Sequence, residues 1–270
     1  MCRQVGIILG RKRRRFPEHD ILLDIFTEML WRSERGGPHA TGVAVLRDDG
    51  NHAIAKRPLP ALRFIDHEAF FETLARFDNR ATAIFGHTRW RTRGSEQNNR
   101  NNHPIRAGQV IGTHNGTIYN ADDLFRRFRL TRGAEVDSEL LIRLADAAVR
   151  DGSLDAETFL RLVAPCRGQI SAVLAAVGAP GRVVVLKGNK PLDFRYSRRH
   201  RAVAYATDAA VLDDAIEASY REPHDWRPMV VEPMAMLVFR EDDILRPDAH
   251  RLDFIAQARQ RTIVSKGIAP

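Results

Sequence analysis

The sequence predicts an α+β fold, a four-layer αββα sandwich in which helices cover both outer faces of two stacked sheets. Two observations carry this prediction. The predicted elements run as a strand, then helices, then strands, with the helices in two batches. The 270 residues are 44% hydrophobic, which is enough to bury one sizeable core, and no repeat or Gly/Ser-rich linker divides them.

The elements follow from apolar periodicity. Residues 5–9 form an apolar run typical of a buried strand, and residues 18–32 place apolar side chains at helical spacing until Gly36 and Gly37 break the pattern. Further strands are predicted at 42–46, 52–56, 81–88, 110–114, 170–177, 182–186 and 202–206, with two short strands within 230–239. Further helices are predicted at 66–76, 121–128, 137–150, 155–163 and 208–218.

A polar stretch at residues 89–106 separates two of the predicted strands. It holds Gly94, Pro104 and several asparagines, so we expect that it is not part of the core. A long polar loop between two buried strands is a common place for a binding site.

Composition excludes several classes of protein. No apolar run is long enough to span a bilayer, and the basic run at residues 11–15 follows the apolar run at 5–9, an order that is wrong for an export signal. Cys2 and Cys166 make neither a disulfide framework nor a metal-binding pattern. We therefore expect a cytoplasmic protein without membrane association, metal or cofactor.

The formal net charge of +8 comes mostly from arginine. It indicates either attraction to polyanions or an arginine-rich solvated surface, and the scattering of basic residues favours the surface interpretation over nucleic-acid binding. The exception is the block at residues 11–15. It is consistent with contact to nucleic acid, an acidic partner or phosphate, or with an exposed turn between a strand and a helix.

Cys2 is the candidate nucleophile. Removal of Met1 would leave one residue with both a thiol and a free α-amine, whose reference pKa values are about 8.5 and about 7.7–8.0. One residue then supplies a nucleophile and the base that activates it.

Four later segments hold the partners that such a nucleophile needs. They are residues 86–94 (GHTRWRTRG), 102–104 (NHP), 114–120 (HNGTIYN) and 136–139 (VDSE). Hydrolysis of a primary amide requires an oxyanion hole, for which Asn115 offers a side-chain NH2 and Gly116 a backbone N–H. Arg89 suits a substrate carboxylate because its guanidinium binds bidentately, and Asp137 suits an ammonium group.

In order, spacing and most identities, these segments resemble the class II glutamine amidotransferases, the N-terminal-nucleophile glutaminases. The likeness is greatest to the glutaminase domains of glucosamine-6-phosphate synthase and of the purine amidophosphoribosyltransferase. It implies the N-terminal-nucleophile hydrolase fold and assigns Cys2, Asn115 and Gly116 to catalysis. It assigns the binding of glutamine to Arg89, Trp90, Thr92, His114 and Asp137, with the loop from Trp90 to Gly94 closing over the substrate.

Each of these residues also has a structural interpretation. Asn115-Gly116 is a strong hairpin-turn signal, Arg89 could be a surface residue at a strand end, and Asp137 could cap a helix. Their joint occurrence with Cys2 favours catalysis. By contrast, the context of His87, His103 and His114 favours packing over a metal site, although His114 belongs to a motif of the family.

The chain departs from the family pattern in three places. Arg3 stands where a glycine follows the nucleophile, Arg93 replaces a histidine in the loop, and residues 35–42 lack the aspartate of the corresponding family motif. These changes leave the positions that bind glutamine in place.

The resemblance predicts a glutamine amidotransferase domain at residues 2–240, followed by a tail at 241–270 that is helical around 252–261 or serves as a docking segment. We expect hydrolysis of the L-glutamine side-chain amide through a Cys2 thioester, giving glutamate, with the ammonia passed to a separate synthase subunit. The alternatives are an amidohydrolase acting on another γ-glutamyl amide and a non-catalytic relative that binds an acidic partner.

Overall fold

The computed structural model describes residues 2–220 and 223–256. Its strands are β1 (Arg3–Leu9), β2 (Ala40–Arg47), β3 (His52–Arg57), β4 (Ala81–Arg89), β5 (Ile105–Ala107), β6 (Val110–Ile118), β7 (Val149–Arg150), β8 (Ser153–Leu154), β9 (Arg167–Ala176), β10 (Arg182–Lys187), β11 (Asp193–Ser197), β12 (Ala202–Ala206), β13 (Arg227–Met229), β14 (Ala235–Arg240), β15 (Asp248–Arg251) and β16 (Ile255–Ala256). Its α-helices are α1 (Phe16–Arg32), α2 (Ala61–Phe64), α3 (Glu68–Leu74), α4 (Ala121–Arg127), α5 (Ser138–Ala147), α6 (Ala156–Val163) and α7 (Ala209–Ser219).

Two large sheets form the centre of the fold. The first has the strand order β13-β11-β12-β1-β4-β2-β3, and the second has the order β15-β14-β10-β9-β6-β5, with β16 added parallel to β9. β1 lies in the middle of the first sheet, antiparallel to β12 and β4. This placement puts Cys2, the residue before β1, at the end of a central strand.

Three hydrophobic layers confirm the predicted four-layer sandwich. Phe26 of α1 packs with Ile7 of β1 on the outer face of the first sheet. Phe85 and Val185 belong to the layer between the two sheets. Leu144 of α5 belongs to the third layer, where α4, α5 and α6 cover the second sheet. Within the described part of the chain, no helix is long and apolar enough to cross a membrane.

β6 is longer than the sequence predicts. It runs to Ile118 rather than ending at His114, and it pairs with β9 over its whole length, with Asn115 opposite Ser171 and Gly116 opposite Ile170. Asn115 and Gly116 therefore lie inside a strand, and the hairpin-turn interpretation of these two residues is wrong.

Other boundaries also differ. The helix predicted at 137–150 ends at Ala147, and the β7–β8 hairpin follows it. The short strands expected within 230–239 lie at Arg227–Met229 and Ala235–Arg240. The helical stretch expected around 252–261 is not found as far as residue 256, since Ile255–Ala256 forms β16; the rest of that stretch lies outside the described residues.

The polar stretch at 89–106 is partly buried, which corrects the expectation that it is not core. Asn101, Asn102 and His103 are at most 4% exposed. The Asn101 side chain donates to Ser95 O and to Glu135 Oε2, and the Asn102 side chain donates to Glu96 O. These hydrogen bonds compensate the cost of removing the amides from water.

Candidate active site

Cys2 lies at the edge of a cavity of about 540 Å³. The residues lining the cavity are Cys2, Trp90, Thr92, Gly116, Thr117, Gln169 and Lys190. They come from the start of β1, the loop after β4, the end of β6, β9 and the segment after β10. The two sheets thus bring the predicted nucleophile, two residues of the predicted loop and the predicted oxyanion glycine to one space.

The Cys2 sulfur contacts the backbone of Trp90. The Trp90 N–H donates to Sγ at 3.1 Å, and the thiol donates to Trp90 O at 3.4 Å. Burial raises the pKa of the Cys2 thiol, while the Trp90 hydrogen bond and the charge of Arg89 offset part of that effect. Because the raised pKa favours the neutral thiol, attack on a substrate requires a base, as the α-amine hypothesis assumes.

Gly116 could not be replaced without a change in the backbone. Its φ is +140°, and a Cβ built on it would lie 1.9 Å from Gln169 O. The missing side chain lets β6 approach the backbone of Gln169 on β9, a residue that also lines the cavity.

Asn115 is buried behind the cavity and does not line it. Its Nδ2 donates to Thr207 Oγ1 at 2.8 Å, and its Oδ1 accepts from His87 Nε2 at 3.2 Å. Both ends of the amide are therefore fixed by neighbouring side chains.

Arg89 is 3% exposed, so the interpretation as a surface residue at a strand end is wrong. Its guanidinium donates to Asn102 Oδ1 at 2.8 Å, Arg93 O at 2.6 Å and Gly94 O at 2.9 Å. Burial lowers the pKa of the Arg89 guanidinium. The residue fixes the loop that carries Trp90 and Thr92, and it lies close enough to Cys2 to influence the thiol electrostatically.

Asp137 occupies the N-terminal cap position of α5, but its side chain makes no capping hydrogen bond there. Instead, Oδ2 accepts from the Ile118 N–H at 2.6 Å. Ile118 follows Thr117, a cavity residue, so Asp137 lies near the cavity but is not in its lining.

His114 is buried, and its two ring nitrogens are within hydrogen-bond distance of Ser138 Oγ (2.9 Å) and Gln169 O (3.2 Å). Burial lowers the pKa of His114, so the ring is neutral near pH 7. These contacts attach β6 to α5 and β9, close to Gly116. The structure thus places His114 beside the cavity and not in its lining.

Trp90 and Thr92 do line the cavity. The Trp90 ring is 44% exposed and stands edge-on to His39, with 5.2 Å between ring centroids. His39 Nδ1 also accepts from the Arg91 N–H at 3.0 Å. The segment that departs from the family motif therefore supports the loop from outside.

Sequence reasoning missed several residues of the site. Gln169 and Lys190 line the cavity, and Thr207 contacts Asn115, but the sequence analysis assigned none of them to the site. Arg3, the departure beside the nucleophile, pairs with Asp208 at 3.0 Å and is not in the lining.

No protein-family model matches the chain. The chain is 26% identical over 237 residues to glutamine--fructose-6-phosphate aminotransferase [isomerizing] of Staphylococcus epidermidis, covering 86% of this chain and 36% of the relative. It is 27% identical over 228 residues to the enzyme of the same name from Haemophilus ducreyi, covering 83% of this chain and 35% of the relative. The chain therefore spans about a third of the length of these curated relatives.

Two solved structures share the fold. Glutamine phosphoribosylpyrophosphate amidotransferase from B. subtilis superposes with a TM-score of 0.65 at 18% identity, covering 93% of this chain and 49% of that one. A structure described as the allosteric regulatory enzyme of purine biosynthesis gives a TM-score of 0.67 at 16% identity, covering 93% and 49%. The fold is therefore that of the N-terminal-nucleophile hydrolases. The predicted resemblance to the class II glutamine amidotransferases is confirmed by these sequence relatives.

Proposed function

We propose that the chain hydrolyses the side-chain amide of L-glutamine through a thioester on Cys2. The observation that carries the proposal is the position of Cys2 Sγ on the same cavity as Gly116, whose backbone only glycine can adopt without strain. A nucleophile beside such a backbone position matches the geometry of amide hydrolysis.

The reaction proceeds in two halves. The Cys2 α-amine, free once Met1 is removed, accepts the thiol proton as Sγ attacks the amide carbon. The tetrahedral oxyanion is stabilised by the Gly116 N–H and by Asn115 Nδ2. The C–N bond then breaks, ammonia leaves with the proton held by the α-amine, and water hydrolyses the thioester to glutamate and free Cys2.

The amino-acid end of glutamine is recognised by charge. Of the five guanidinium N–H groups of Arg89, one donates to Asn102 and two donate to loop carbonyls within the described residues, which leaves donors for the α-carboxylate. Thr92 lines the cavity from the loop that Arg89 fixes. Asp137 contacts the residue after Thr117 and supplies negative charge for the α-ammonium.

The ammonia goes to a separate synthase subunit. Support comes from the relatives, whose name describes transfer of an amino group and whose length is about three times the matched part. Arg93 is the candidate contact with that subunit, since it lies on the loop over the cavity and is half exposed in a 3.4 Å pair with Asp122.

Ammonia release from glutamine tests the proposal. Protein with Met1 removed, as verified by mass spectrometry, should release ammonia and glutamate in equal amounts, and Cys2→Ala should abolish both. Cys166→Ala is the matched control: Cys166 is buried and its pKa is raised to about 12, so its loss should leave turnover intact. Full turnover by Cys2→Ala would refute the assignment of Cys2 as the nucleophile. Release of ammonia from another γ-glutamyl amide, but not from glutamine, would refute L-glutamine as the substrate.

A further inference from the structure

A buried network of polar side chains lies between the two sheets, directly behind Cys2. Its members are at most 5% exposed: Gln4, His87, Thr113, Asn115, Ser171 and Thr207. Polar groups at such a position are costly unless they are hydrogen-bonded, and the hydrogen bonds that these side chains make fix the arrangement of the network.

Thr207 connects Asn115 to the strand that begins beside the nucleophile. Its Oγ1 accepts from Asn115 Nδ2 at 2.8 Å and from the Gln4 N–H at 2.8 Å. Its own N–H donates to Gln4 O at 2.9 Å, so the backbone of Thr207 is fixed to the same residue. Gln4 is two residues from Cys2.

His87 fixes the other end of the Asn115 amide. Burial lowers the pKa of His87 to about 3, so the ring is neutral and carries one proton near pH 7. With that proton on Nε2, His87 donates to Asn115 Oδ1 at 3.2 Å. The ring is itself held by stacking on His103, with centroids 4.2 Å apart.

These contacts fix the orientation of the Asn115 side-chain amide. Asn115 Nδ2 has two N–H bonds, and Thr207 takes one of them. With Oδ1 held by His87, the amide cannot rotate without breaking both hydrogen bonds. The second N–H keeps a fixed direction, which is what stabilisation of a developing oxyanion requires.

We infer that Thr207 is a positioning residue for the oxyanion hole, holding the Asn115 amide in register with the strand that carries Cys2. The inference rests on the proposed function, because it assigns a role within that reaction. Thr207 does not touch substrate; it acts through Asn115.

The decisive variants are Thr207→Val, which has nearly the same shape without the hydroxyl, and Thr207→Ser, which keeps the hydroxyl. Loss of an oxyanion donor costs about 10²–10³-fold in kcat, so a misdirected donor should cost about 10–100-fold, with KM for glutamine changed less than about twofold. Thr207→Ser should recover kcat to within about threefold. Thr82→Val is the matched control: Thr82 is similarly buried at 4% and donates to Leu46 O at the far end of β4.

Two further measurements separate positioning from a structural role. In the Asn115→Ala background, Thr207→Val should cause no further loss of kcat, because the group it directs is absent. Alkylation of Cys2 by iodoacetamide passes through no oxyanion, so its rate should stay within about twofold of wild type. Thermal unfolding of Thr207→Val and Thr82→Val reports any general loss of stability.

The inference is overturned if Thr207→Val hydrolyses glutamine at the wild-type rate while Asn115→Ala does not; the proposed function then stands. It is also overturned if the two substitutions multiply, or if Thr207→Val slows alkylation as much as turnover. Wild-type protein with no glutaminase activity would instead refute the proposed function itself.

Discussion

The sequence predicts that Asp137 stands at the start of a helix, but it does not predict which group its carboxylate contacts. As the sequence allowed, it stands at the helix cap position, but its carboxylate turns to the Ile118 N–H on β6. We propose that this carboxylate serves the substrate's ammonium, because it accepts from β6 near the cavity and makes no capping hydrogen bond to its own helix.

The variant Asp137→Asn removes the negative charge of this side chain and nearly preserves its shape. The asparagine oxygen can still accept from Ile118, so the local backbone contact is kept. We expect KM for glutamine to rise about tenfold or more, which is about 1.4 kcal/mol of lost binding. KM for glutaramate, which lacks the α-ammonium, should barely change.

Asp123→Asn is the control for this charge change, since Asp123 is exposed and pairs only with Arg126 within the described residues. An equal rise of KM for both substrates would show that Asp137 supports the cavity wall and does not bind the ammonium. Steady-state kinetics on the two amides decides between these outcomes.

At the scale of elements, the strongly periodic segments were predictable. The apolar face of α1 and the apolar runs of β1 and β4 are local signals, and these elements lie where the sequence places them, within a few residues at each end. The end of β6 was not predictable. Asn115-Gly116 carries a strong local turn signal, and only pairing with β9 extends the strand through it.

The burial of the loop after β4 was also not predictable from the local sequence. Its asparagines look solvated by composition, yet Asn101 bonds to Glu135 and Asn102 bonds to Arg89. These partners are 34 and 13 residues away along the chain. No local pattern encodes such pairings, so a polar loop between two strands could be predicted and its buried inner half could not.

At the scale of the whole molecule, residues of the basic block at 11–15 contact different partners instead of forming one basic patch. Arg11 pairs with Glu241 and Lys12 with Glu18. Arg14 is buried and donates to the carbonyl oxygens of Gly10 and His200. This part of the turn contributes to the fold, and the sequence could not show it because two of the acceptors, on Glu241 and His200, lie far along the chain.

Buried histidines should make the stability of the molecule depend on pH. Burial lowers the pKa of His87 to about 3 and of His200 to about 4, and it also lowers the pKa of His103 and His114. In the unfolded chain each titrates near pH 6.5. Between about pH 6.5 and pH 4 the unfolded state therefore binds more protons, and stability falls as pH falls.

We expect His87 and His200 each to contribute a slope approaching about 1.4 kcal/mol per pH unit in that window, and His103 and His114 to add to it in the same direction. Urea unfolding at pH 7, 6 and 5, with proton uptake from calorimetry in buffers of different ionisation enthalpy, measures the effect. Unfolding at pH 5 should take up about two protons or more. Uptake near zero would show that these rings are protonated in the folded protein.

The central claim is that Cys2 forms a covalent bond with the glutamine skeleton. The most direct measurement is peptide mapping by mass spectrometry after treatment of Met1-processed protein with diazo-oxo-norleucine, a glutamine analogue with an electrophilic carbon. We predict a single adduct on Cys2, prevented by excess glutamine, with Cys166 unmodified because it is buried and its raised pKa keeps it a thiol. An adduct on Cys166, or labelling of Cys2 that excess glutamine does not prevent, would contradict the account.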